Sequence, residues 1–427
     1  MIKKSKIIIK KVIMATINLK AYNYSPDFKN ESLINRGNNL IKDVKLKNIE
    51  GFEHFGFHEL ALNFSNFNVD ELNNFVRLIK KQEIKEILIM TTSKIIDNYQ
   101  AGNDFLFKYD LLKKYKLKFN FINVDNYEQD YYAKFEEYKK KFEQKGIALM
   151  FGSFTKFSEE TINFIKLLMN HFQLNQGYYR ALERVFLISK ESLEKQLEFL
   201  SIPLQNRLIS PNILSNNFAF FSEINMLLLL LQGANINDLS EGYSSGCTNW
   251  LSSNLEQNKA FQYAYIRYSL KGDRKNDLLI GTDERFKGIL KLYSTINNSQ
   301  YLKSNNVTMY AIFSQDIYTY GQYLIDNNRN FFTSIFSIEN EKIDFRISDE
   351  INNTQDGLEN HKDNRISSYY KVAKKGYLTT LSNVASLPVF DISLESSNEL
   401  NLGYLVGFLY WSYIFECYLN KLNPFDI

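Results

Sequence analysis

Helical periodicity alternates with short runs of β-branched and aliphatic residues from about residue 69 onward. This alternation is typical of βαβ units, in which parallel strands form a sheet and the connecting helices cover it. Right-handed crossovers close such units into one sheet. The pattern therefore predicts an α/β fold, with ligand sites in the turns that follow the carboxyl ends of the strands.

The strand and helix signals fall into two blocks. We predict strands of the first block at 84–90, 119–124, 147–151 and 184–189, and strands of the second at 277–281, 307–313, 342–347 and 388–394. Helices are predicted near 69–82 and from 158 in the first block, and at 221–231, 255–270 and 283–297 in the second. A long aromatic helix follows residue 398.

The two blocks define the expected domain boundaries. Segment 201–215 carries two of the five prolines and has no clear periodicity, so the boundary is placed there. We therefore expect an N-terminal extension at 1–50, a first domain at 51–205, a second domain at 206–402 and a C-terminal helix at 403–427. Segment 348–366, rich in Asn, Asp and charge, is predicted to be an exposed loop of the second domain.

Charge and cysteine content limit the expected partners and location. The 51 basic and 48 acidic side chains are well mixed, so no long-range field attracts nucleic acid, and we expect no nucleic-acid partner. The only two cysteines, Cys247 and Cys417, exclude a disulfide framework and a thiolate-rich metal site. This usage fits a reducing compartment, and a cytoplasmic location is expected.

The two ends of the chain bear on membrane association. Lys10 and Lys11 interrupt the apolar run near the N-terminus too early for a secretory signal. The N-terminal segment is either a short basic peptide that contacts an anionic surface, or an unstructured extension that precedes a true start at Met14; we favour the extension. Near the other end, Ser412 and Glu416 interrupt segment 403–419, which favours a buried helix over an integral membrane segment.

Several phrases of the sequence occur in the order and spacing of a known family. They are Gln-Gly-Ala-Asn-Ile-Asn-Asp at 232–238, Ala-Phe-Gln-Tyr-Ala-Tyr-Ile-Arg at 260–267, a turn Tyr-Gly-Gln-Tyr-Leu at 320–324, Gly-Tyr-Leu-Val at 403–406 and Asn-Pro-Phe-Asp at 423–426. The chain resembles the bacterial branch of the glucose-6-phosphate isomerase family, clearly over 220–345 and 375–427 and more faintly over 50–215. The resemblance implies two SIS (sugar isomerase) domains, each a parallel sheet flanked by helices.

The resemblance also implies a phosphate pocket built from two turns. The family's first turn is glycine-rich, whereas residues 91–95 here read Thr-Thr-Ser-Lys-Ile without glycine, so close backbone approach to a ligand is expected to be lost. Lys94 could supply charge instead, although a solvated lysine is the simpler interpretation.

The second turn keeps part of the family's pattern. Ser153 and Thr155 fall on hydroxyl positions, whereas Phe154 replaces a glycine and Lys156 replaces a threonine. We interpret Ser153, Thr155 and Lys156 as a remnant phosphate site. The alternative is that this segment only starts a helix, with Ser158 as its N-cap before Glu159 and Glu160.

The catalytic positions that the resemblance implies carry other residues. Asn217 stands at the family's arginine, Ser299 at its catalytic glutamate, and Tyr318 at the histidine that acts in ring opening across a dimer interface. Tyrosine is a poor proton shuttle at neutral pH. The chain also ends at Ile427, before the family's helix that bears a catalytic lysine. No catalytic residue, cofactor or metal is therefore predicted.

Three further patterns give weaker signals. His54 and His58 lie four residues apart but lack a third ligand in the pattern, which is a weak metal signal. Segment 242–247 resembles a nucleophile loop only superficially, and we predict a loop between helices. The aromatic residues of the final helix surround it, which predicts a core or dimer-interface position.

Three functions remain open from the sequence. The favoured hypothesis is a catalytically inactive isomerase homologue, homodimeric or bound to other proteins, that acts as a structural or protein-interaction component of a larger assembly. The second is a sugar-phosphate sensor that binds without turnover. The third is an active isomerase whose catalytic groups have moved.

Overall fold

The computed structural model of the chain describes residues 16–67, 69–125, 131–210, 216–299, 306–313, 315–341, 343–347, 361 and 363–425. The basic N-terminal segment, most of the predicted loop at 348–366 and the last two residues lie outside the described residues. The described part contains two five-stranded sheets, each flanked by helices. No helix of this part is long and apolar enough to cross a membrane.

The first sheet has the strand order β3-β2-β4-β5-β6, and all its neighbouring strands are parallel. Its strands are β2 (Glu86–Thr91), β3 (Lys118–Asn123), β4 (Ile147–Ser153), β5 (Val185–Ser189) and β6 (Arg207–Ile209). The central strands β4 and β5 are buried along their whole length. Continuous apolar sequence is what a strand covered on both faces requires.

The second sheet has the order β1-β10-β9-β7-β8, with β1 antiparallel and the other strands parallel. Its strands are β1 (Ile17–Tyr22), β7 (Asn276–Gly281), β8 (Val307–Ile312), β9 (Phe331–Ile338) and β10 (Val389–Leu394). Strand β1 pairs with β10 and covers what would otherwise be an open edge of the sheet.

Helices surround both sheets. In the first half they are α1 (Glu31–Lys45), α2 (Gly56–Phe67), α3 (Val69–Lys81), α4 (Ser93–Phe107), α5 (Tyr131–Lys139), α6 (Glu159–Gln176), α7 (Tyr178–Glu183) and α8 (Glu191–Gln196). In the second half they are α9 (Glu223–Gln232), α10 (Ile236–Trp250), α11 (Lys259–Asp273), α12 (Lys287–Asn298), α13 (Ile317–Asp326), α14 (Ile366–Thr379) and α15 (Glu399–Leu419). Asparagine caps start several of them; Asn398 Oδ1, for example, accepts from Asn401 N over 2.8 Å.

The predicted strand at 342–347 is wrong. Its alternating pattern resembles a half-buried strand, but Ile343 and Phe345 are exposed, and the described residues 343–347 join neither sheet and form an isolated bridge between Arg346 and Arg365. The second sheet instead contains β9 (Phe331–Ile338), for which no strand was predicted. Polar residues interrupt the apolar pattern of β9 although the strand is buried in the middle of the sheet.

The expected domain limits differ from the observed elements in two places. Part of the expected extension at 1–50 is integral to the second domain, because β1 joins its sheet and Gly37 of α1 packs against Leu255 and Phe261. The first sheet also continues past residue 205, since β6 pairs with β5 in parallel.

Helix α15 passes through the centre of the second domain and is buried on all sides, as the sequence predicted. A helix that is apolar all round is stable only in such a position. It packs closely on α10, where a Cβ atom at Gly242 would collide with the carbonyl of Leu400, and one at Gly403 with that of Leu239. The predicted loop at 242–247 is therefore wrong, because the segment lies within α10 and Gly242 allows this helix to pack closely on α15.

The phrase at 320–324 is also not a turn. It lies within α13, which ends at Asp326. Helix α14, by contrast with α15, has no buried residue. It is tied to the rest of the domain along its length: Asp344 Oδ1 accepts from Ser367 N over 3.1 Å, Lys374 pairs with Asp391, and the Tyr377 hydroxyl donates to the Phe313 carbonyl over 2.9 Å.

Candidate functional site

Hydroxyl side chains gather at the carboxyl ends of the central strands of the first sheet. Thr91 ends β2, Ser153 ends β4 and Ser189 ends β5, and the register places Ser153 opposite Ser189. These three side chains are fully buried, and the following Thr92 is nearly so. The hydroxyl oxygens of Thr91, Thr92 and Ser189 have no hydrogen-bond partner among the described residues.

Ser153 and Thr155 lie together at the end of β4 and are hydrogen-bonded to each other. Ser153 Oγ accepts from Thr155 N over 3.0 Å and lies 3.2 Å from Thr155 Oγ1. Thr155 and Lys156 are exposed, so the loop places them at the surface, above the buried Ser153.

The rest of this loop is fixed by a side chain from α8. Gln196 accepts from Phe157 N and donates to its carbonyl, both over 2.8 Å. Ser158 Oγ then accepts from Thr161 N over 3.2 Å and forms the predicted N-cap of α6.

The turn after β2 holds a carboxylate at the N-terminus of α4. Asp125 Oδ2 accepts from Ser93 N over 2.8 Å and from Ser93 Oγ over 2.7 Å. The N-terminus of a helix favours a negative charge, because its first N–H groups lack partners and the helix dipole is positive there. The protein's own carboxylate therefore satisfies this anion-binding position.

Lys94 follows directly in the same turn and is half-buried. Burial lowers the pKa of its ammonium, and nearby Asp125 offsets part of that effect. Lys94 is thus partly withdrawn from water and faces an opposite charge supplied by the chain itself.

The positions that the resemblance assigns to catalysis carry no convergent acid and base. Asn217 is buried in a short 3-10 turn. Ser299 follows α12, and its hydroxyl donates to the Ile296 carbonyl over 2.6 Å. Tyr318 lies on α13 with 94% of its surface exposed.

The carboxylates nearest in sequence to Ser299 are already engaged. Glu284 forms an ion pair with Lys108 and also accepts from Gln315. Asp316 Oδ2 accepts from Ile312 N over 2.7 Å. Neither carboxylate is therefore free to act as a base in place of Ser299.

The two closely spaced histidines do not form a metal site. His58 Nδ1 lies 2.8 Å from the Tyr243 hydroxyl, whereas His54 contacts the ring of Phe425 and pairs with Glu53. Within the described ranges, no group of three or more His, Cys, Asp or Glu side chains could hold a metal ion.

Sequence reasoning missed a buried ionic cluster in the second domain. Arg267 Nη1 lies 2.7 Å from Asp277 Oδ2, its Nε lies 2.7 Å from Glu416 Oε2, and Lys271 pairs with the same glutamate. Burial alone would raise the pKa of Glu416, but Arg267 and Lys271 together hold it below its ordinary value. Glu416, a charged residue within the otherwise apolar final helix, could have indicated this cluster, because a buried charge requires partners.

A basic cleft between the two domains was not predicted from the sequence. Six of its lining side chains are lysines, and they come from the stretch between the end of α4 and the start of β3 and from α12: Lys108, Lys113, Lys116, Lys118, Lys287 and Lys291. The run at 113–118 was visible in the sequence, but the partners from α12 are about 170 residues away in the chain.

Comparison with curated proteins gives a relative along nearly the whole chain. The glucose-6-phosphate isomerase of Mycoplasmopsis pulmonis is 22% identical over 418 residues, which are 97% of this chain and 96% of that protein. The chain is similar to glucose-6-phosphate isomerases over nearly its whole length. The resemblance inferred from the motifs is thus confirmed.

Other isomerases match over a shorter stretch. The glucose-6-phosphate isomerase of Mycoplasma mobile is 24% identical over 254 residues, or 58% of each chain. That of Bacillus anthracis is 25% identical over 221 residues, which are 51% of this chain and 49% of that protein. The matched stretch therefore spans about half the length of these curated relatives. No protein-family model matches the chain.

Two solved structures share the fold. A hypothetical protein from Thermus thermophilus has a TM-score of 0.78 at 13% identity, with 96% of both chains covered. A glucose-6-phosphate isomerase from Chlamydia trachomatis has a TM-score of 0.73 at 10% identity, covering 96% of this chain and 85% of that chain. The predicted fold class is confirmed: two SIS-type domains, each a sheet of parallel strands flanked by helices, with β1 added to the second in antiparallel orientation.

Proposed function

We propose that the chain is a catalytically inactive relative of glucose-6-phosphate isomerase that acts as a protein-interaction component of a larger assembly. Aldose-ketose isomerisation needs an anion pocket and a base that moves a proton between adjacent carbons. Asn217, Ser299 and Tyr318 offer no such base at the positions where the family resemblance places its arginine, glutamate and histidine. Asp125 at the N-terminus of α4 would repel a phosphate group as well.

The exposed surface of α14 supports a role in binding another protein. Its 14 residues include no buried side chain, and Tyr370 and Val372 are more than half exposed. Ile343 and Phe345, held next to its start by the Asp344 bonds to Ser367, add further exposed apolar surface. Exposed apolar surface of this kind is typical of interaction sites.

The charge of α14 indicates the chemistry of the partner. The helix contains three lysines and no acidic residue. Lys374 pairs with Asp391 over 2.9 Å, whereas the side chains of Lys371 and Lys375 are exposed. We therefore assign the α14 face, defined as the exposed side chains of α14 with Ile343 and Phe345, to an acidic surface of another protein in the assembly.

The test is purification of the tagged chain from native cells under gentle conditions, followed by sedimentation and cross-linking. The wild-type chain should sediment in a complex larger than a homodimer, with cross-links from Lys371 and Lys375 to an acidic surface of a different protein. The variant Tyr370→Asp/Val372→Asp should leave this complex. Leu174→Asp, which changes an exposed leucine of α6, should remain in it.

Recovery of the wild-type chain only as a free homodimer would count against the proposal. Survival of the complex in Tyr370→Asp/Val372→Asp would show that the α14 face is not the contact. Circular dichroism of both variants checks that the fold is retained.

A second candidate function is a sugar-phosphate sensor that binds without turnover. The unpartnered buried hydroxyls of Thr91, Thr92 and Ser189 beside Ser153 favour it, because a ligand could satisfy them. In calorimetry with fructose 6-phosphate, any heat of binding should vanish in Ser153→Ala and persist in Ser158→Ala, which removes only the cap of α6. No heat at millimolar ligand would remove this candidate.

A further inference from the structure

A cleft of about 1,020 Å³ lies between the two domains, away from Ser153. It is lined by the second half of α4, the segment that leads into β3, the start of α12 and Tyr310 of β8. Helix α4 begins at the carboxyl end of β2, so its second half lies toward the opposite end of the first sheet. The cleft is therefore distinct from the remnant phosphate site.

Positive charge dominates this cleft. Its lining contains six lysines and one carboxylate, Asp104. Two of the lysines are neutralised by the fold, since Lys108 pairs with Glu284, and Lys291 Nζ lies 2.7 Å from Asp97 Oδ1.

Lys116 and Lys287 leave a surplus of positive charge in the cleft. Lys116 and Lys287 are exposed, and neither forms an ion pair with a described residue. Lys118 Nζ lies 4.0 Å from Glu86, at the outer limit of such a pair. Clustered lysines of this kind attract and hold phosphate groups.

An aromatic wall adjoins these lysines. Phe119 and Phe121 point to the same side of β3, because alternate residues of a strand share a face. Their ring centroids lie 5.7 Å and 5.3 Å from that of Tyr99. Both phenylalanines are half-buried and line the cleft, so a planar ring of a ligand could stack on them.

A hydrogen-bond acceptor completes the lining. Gln232 is 2% exposed, and its Nε2 donates to the Leu117 carbonyl over 3.1 Å, next to the lysine segment. Its Oε1 has no hydrogen-bond partner among the described residues, and a buried acceptor of this kind requires a donor. Amino or hydroxyl groups of a ligand would satisfy it.

We propose that this cleft binds a nucleoside phosphate. The phosphates lie on the lysines of the 116–118 segment and Lys287, the base stacks on Phe119 and Phe121, and Gln232 accepts a hydrogen bond from the base or the sugar. This site is independent of the α14 face and of the remnant phosphate site.

Calorimetry with the full chain and three probes tests the proposal: ATP, adenosine and inorganic tripolyphosphate. ATP should bind at least tenfold more tightly than either fragment, because only ATP contacts both lysines and rings. Lys116→Ala/Lys287→Ala should weaken ATP binding at least tenfold and leave the unfolding temperature unchanged. Lys145→Ala, which changes an exposed lysine outside the cleft, should bind ATP like the wild type.

Phe119→Leu distinguishes the contribution of the aromatic rings to binding from that of the lysines. It should weaken ATP binding severalfold while leaving tripolyphosphate binding unchanged, since leucine keeps the apolar volume but not the flat ring. Absence of ATP binding at millimolar concentration, equal affinity for tripolyphosphate and ATP, or unchanged ATP affinity in Lys116→Ala/Lys287→Ala would each overturn the proposal. Tyr370→Asp/Val372→Asp should bind ATP normally, so this test is independent of the assembly contact.

Discussion

Arg267 Nε donates to Glu416 Oε2 over 2.7 Å inside the second domain, and both side chains are buried between α11 and α15. Asp277 on β7 lies 2.7 Å from Nη1 of the same guanidinium. One arginine therefore links two helices and a central strand, and together with Lys271 it supplies the positive charge that two buried carboxylates require.

Removing this arginine should lower the free energy of unfolding. Arg267→Met leaves Asp277 and Glu416 without their shared partner, and breaking a buried pair in this way costs about 3–5 kcal/mol. Urea unfolding measures the loss. Arg77→Met, which changes an exposed arginine of α3, should alter the free energy of unfolding by less than about 0.5 kcal/mol. A loss below about 1 kcal/mol in Arg267→Met would contradict the role of the cluster.

The contact between α10 and α15 depends on glycine. A Cβ atom at Gly403 would collide with the Leu239 carbonyl, so Gly403→Ala should lower the free energy of unfolding by about 1–3 kcal/mol. At Gly376 of α14, a Cβ atom meets nothing within 4 Å, and Gly376→Ala should stabilise the chain by about 0.5–1 kcal/mol. Thermal unfolding of both variants compares them, and equal shifts would refute the close approach.

Stability should depend on pH through His58. Burial, with a smaller effect of Lys47, lowers the pKa of its imidazole from 6.5 to about 4. Tyr243 accepts from Trp411 Nε1 over 3.0 Å, which leaves its own proton for Nδ1 of a neutral His58.

The direction of this pH dependence follows from proton uptake on unfolding. Between pH 6.5 and about 4 the unfolded chain binds the proton and the folded chain does not, so stability is full above pH 6.5 and falls as the pH drops. The loss by pH 4 is about 3 kcal/mol. His58→Gln, which keeps an acceptor for Tyr243, should flatten the unfolding profile in this window. Identical slopes for both proteins would be inconsistent with a buried neutral His58.

The carboxylate at the start of α4 should contribute to stability. Asp125→Ala leaves Ser93 N without its acceptor, and loss of such a cap costs about 1 kcal/mol. Asp326→Ala, at the C-terminal end of α13, removes a charge that the helix dipole disfavours and should be neutral or slightly stabilising. Chemical unfolding in low salt measures the difference, and an equal effect of the two changes would argue against the cap.

The sequence was most informative about strands with continuous apolar runs. β4 and β5 were predicted within two residues of their limits, because a strand buried on both faces leaves a clear signal. β9 was missed because Thr333, Ser334 and Ser337 interrupt its pattern while the neighbouring strands bury it. Segment 242–247 was misinterpreted because close helix packing selects the same glycines that loops use.

The candidate site was predictable only in part. The sequence placed Ser153 and Thr155 in one turn, but it could not show that the two hydroxyl residues bond to each other. The contact between Ser93 and Asp125 spans 32 residues and depends on the pairing of β2 with β3. The lysines of the cleft come from both domains, so their proximity follows from domain packing alone.

We propose that this chain has the fold of glucose-6-phosphate isomerase without its catalytic activity. A coupled assay measures it most directly: purified chain with fructose 6-phosphate, and glucose 6-phosphate detected through its dehydrogenase. We predict no turnover above the background without protein, at any pH from about 6 to 9, the range in which a general base of the family's kind would act. Turnover proportional to the amount of chain, in a preparation free of host isomerase, would contradict this account and identify an active enzyme with relocated catalytic groups.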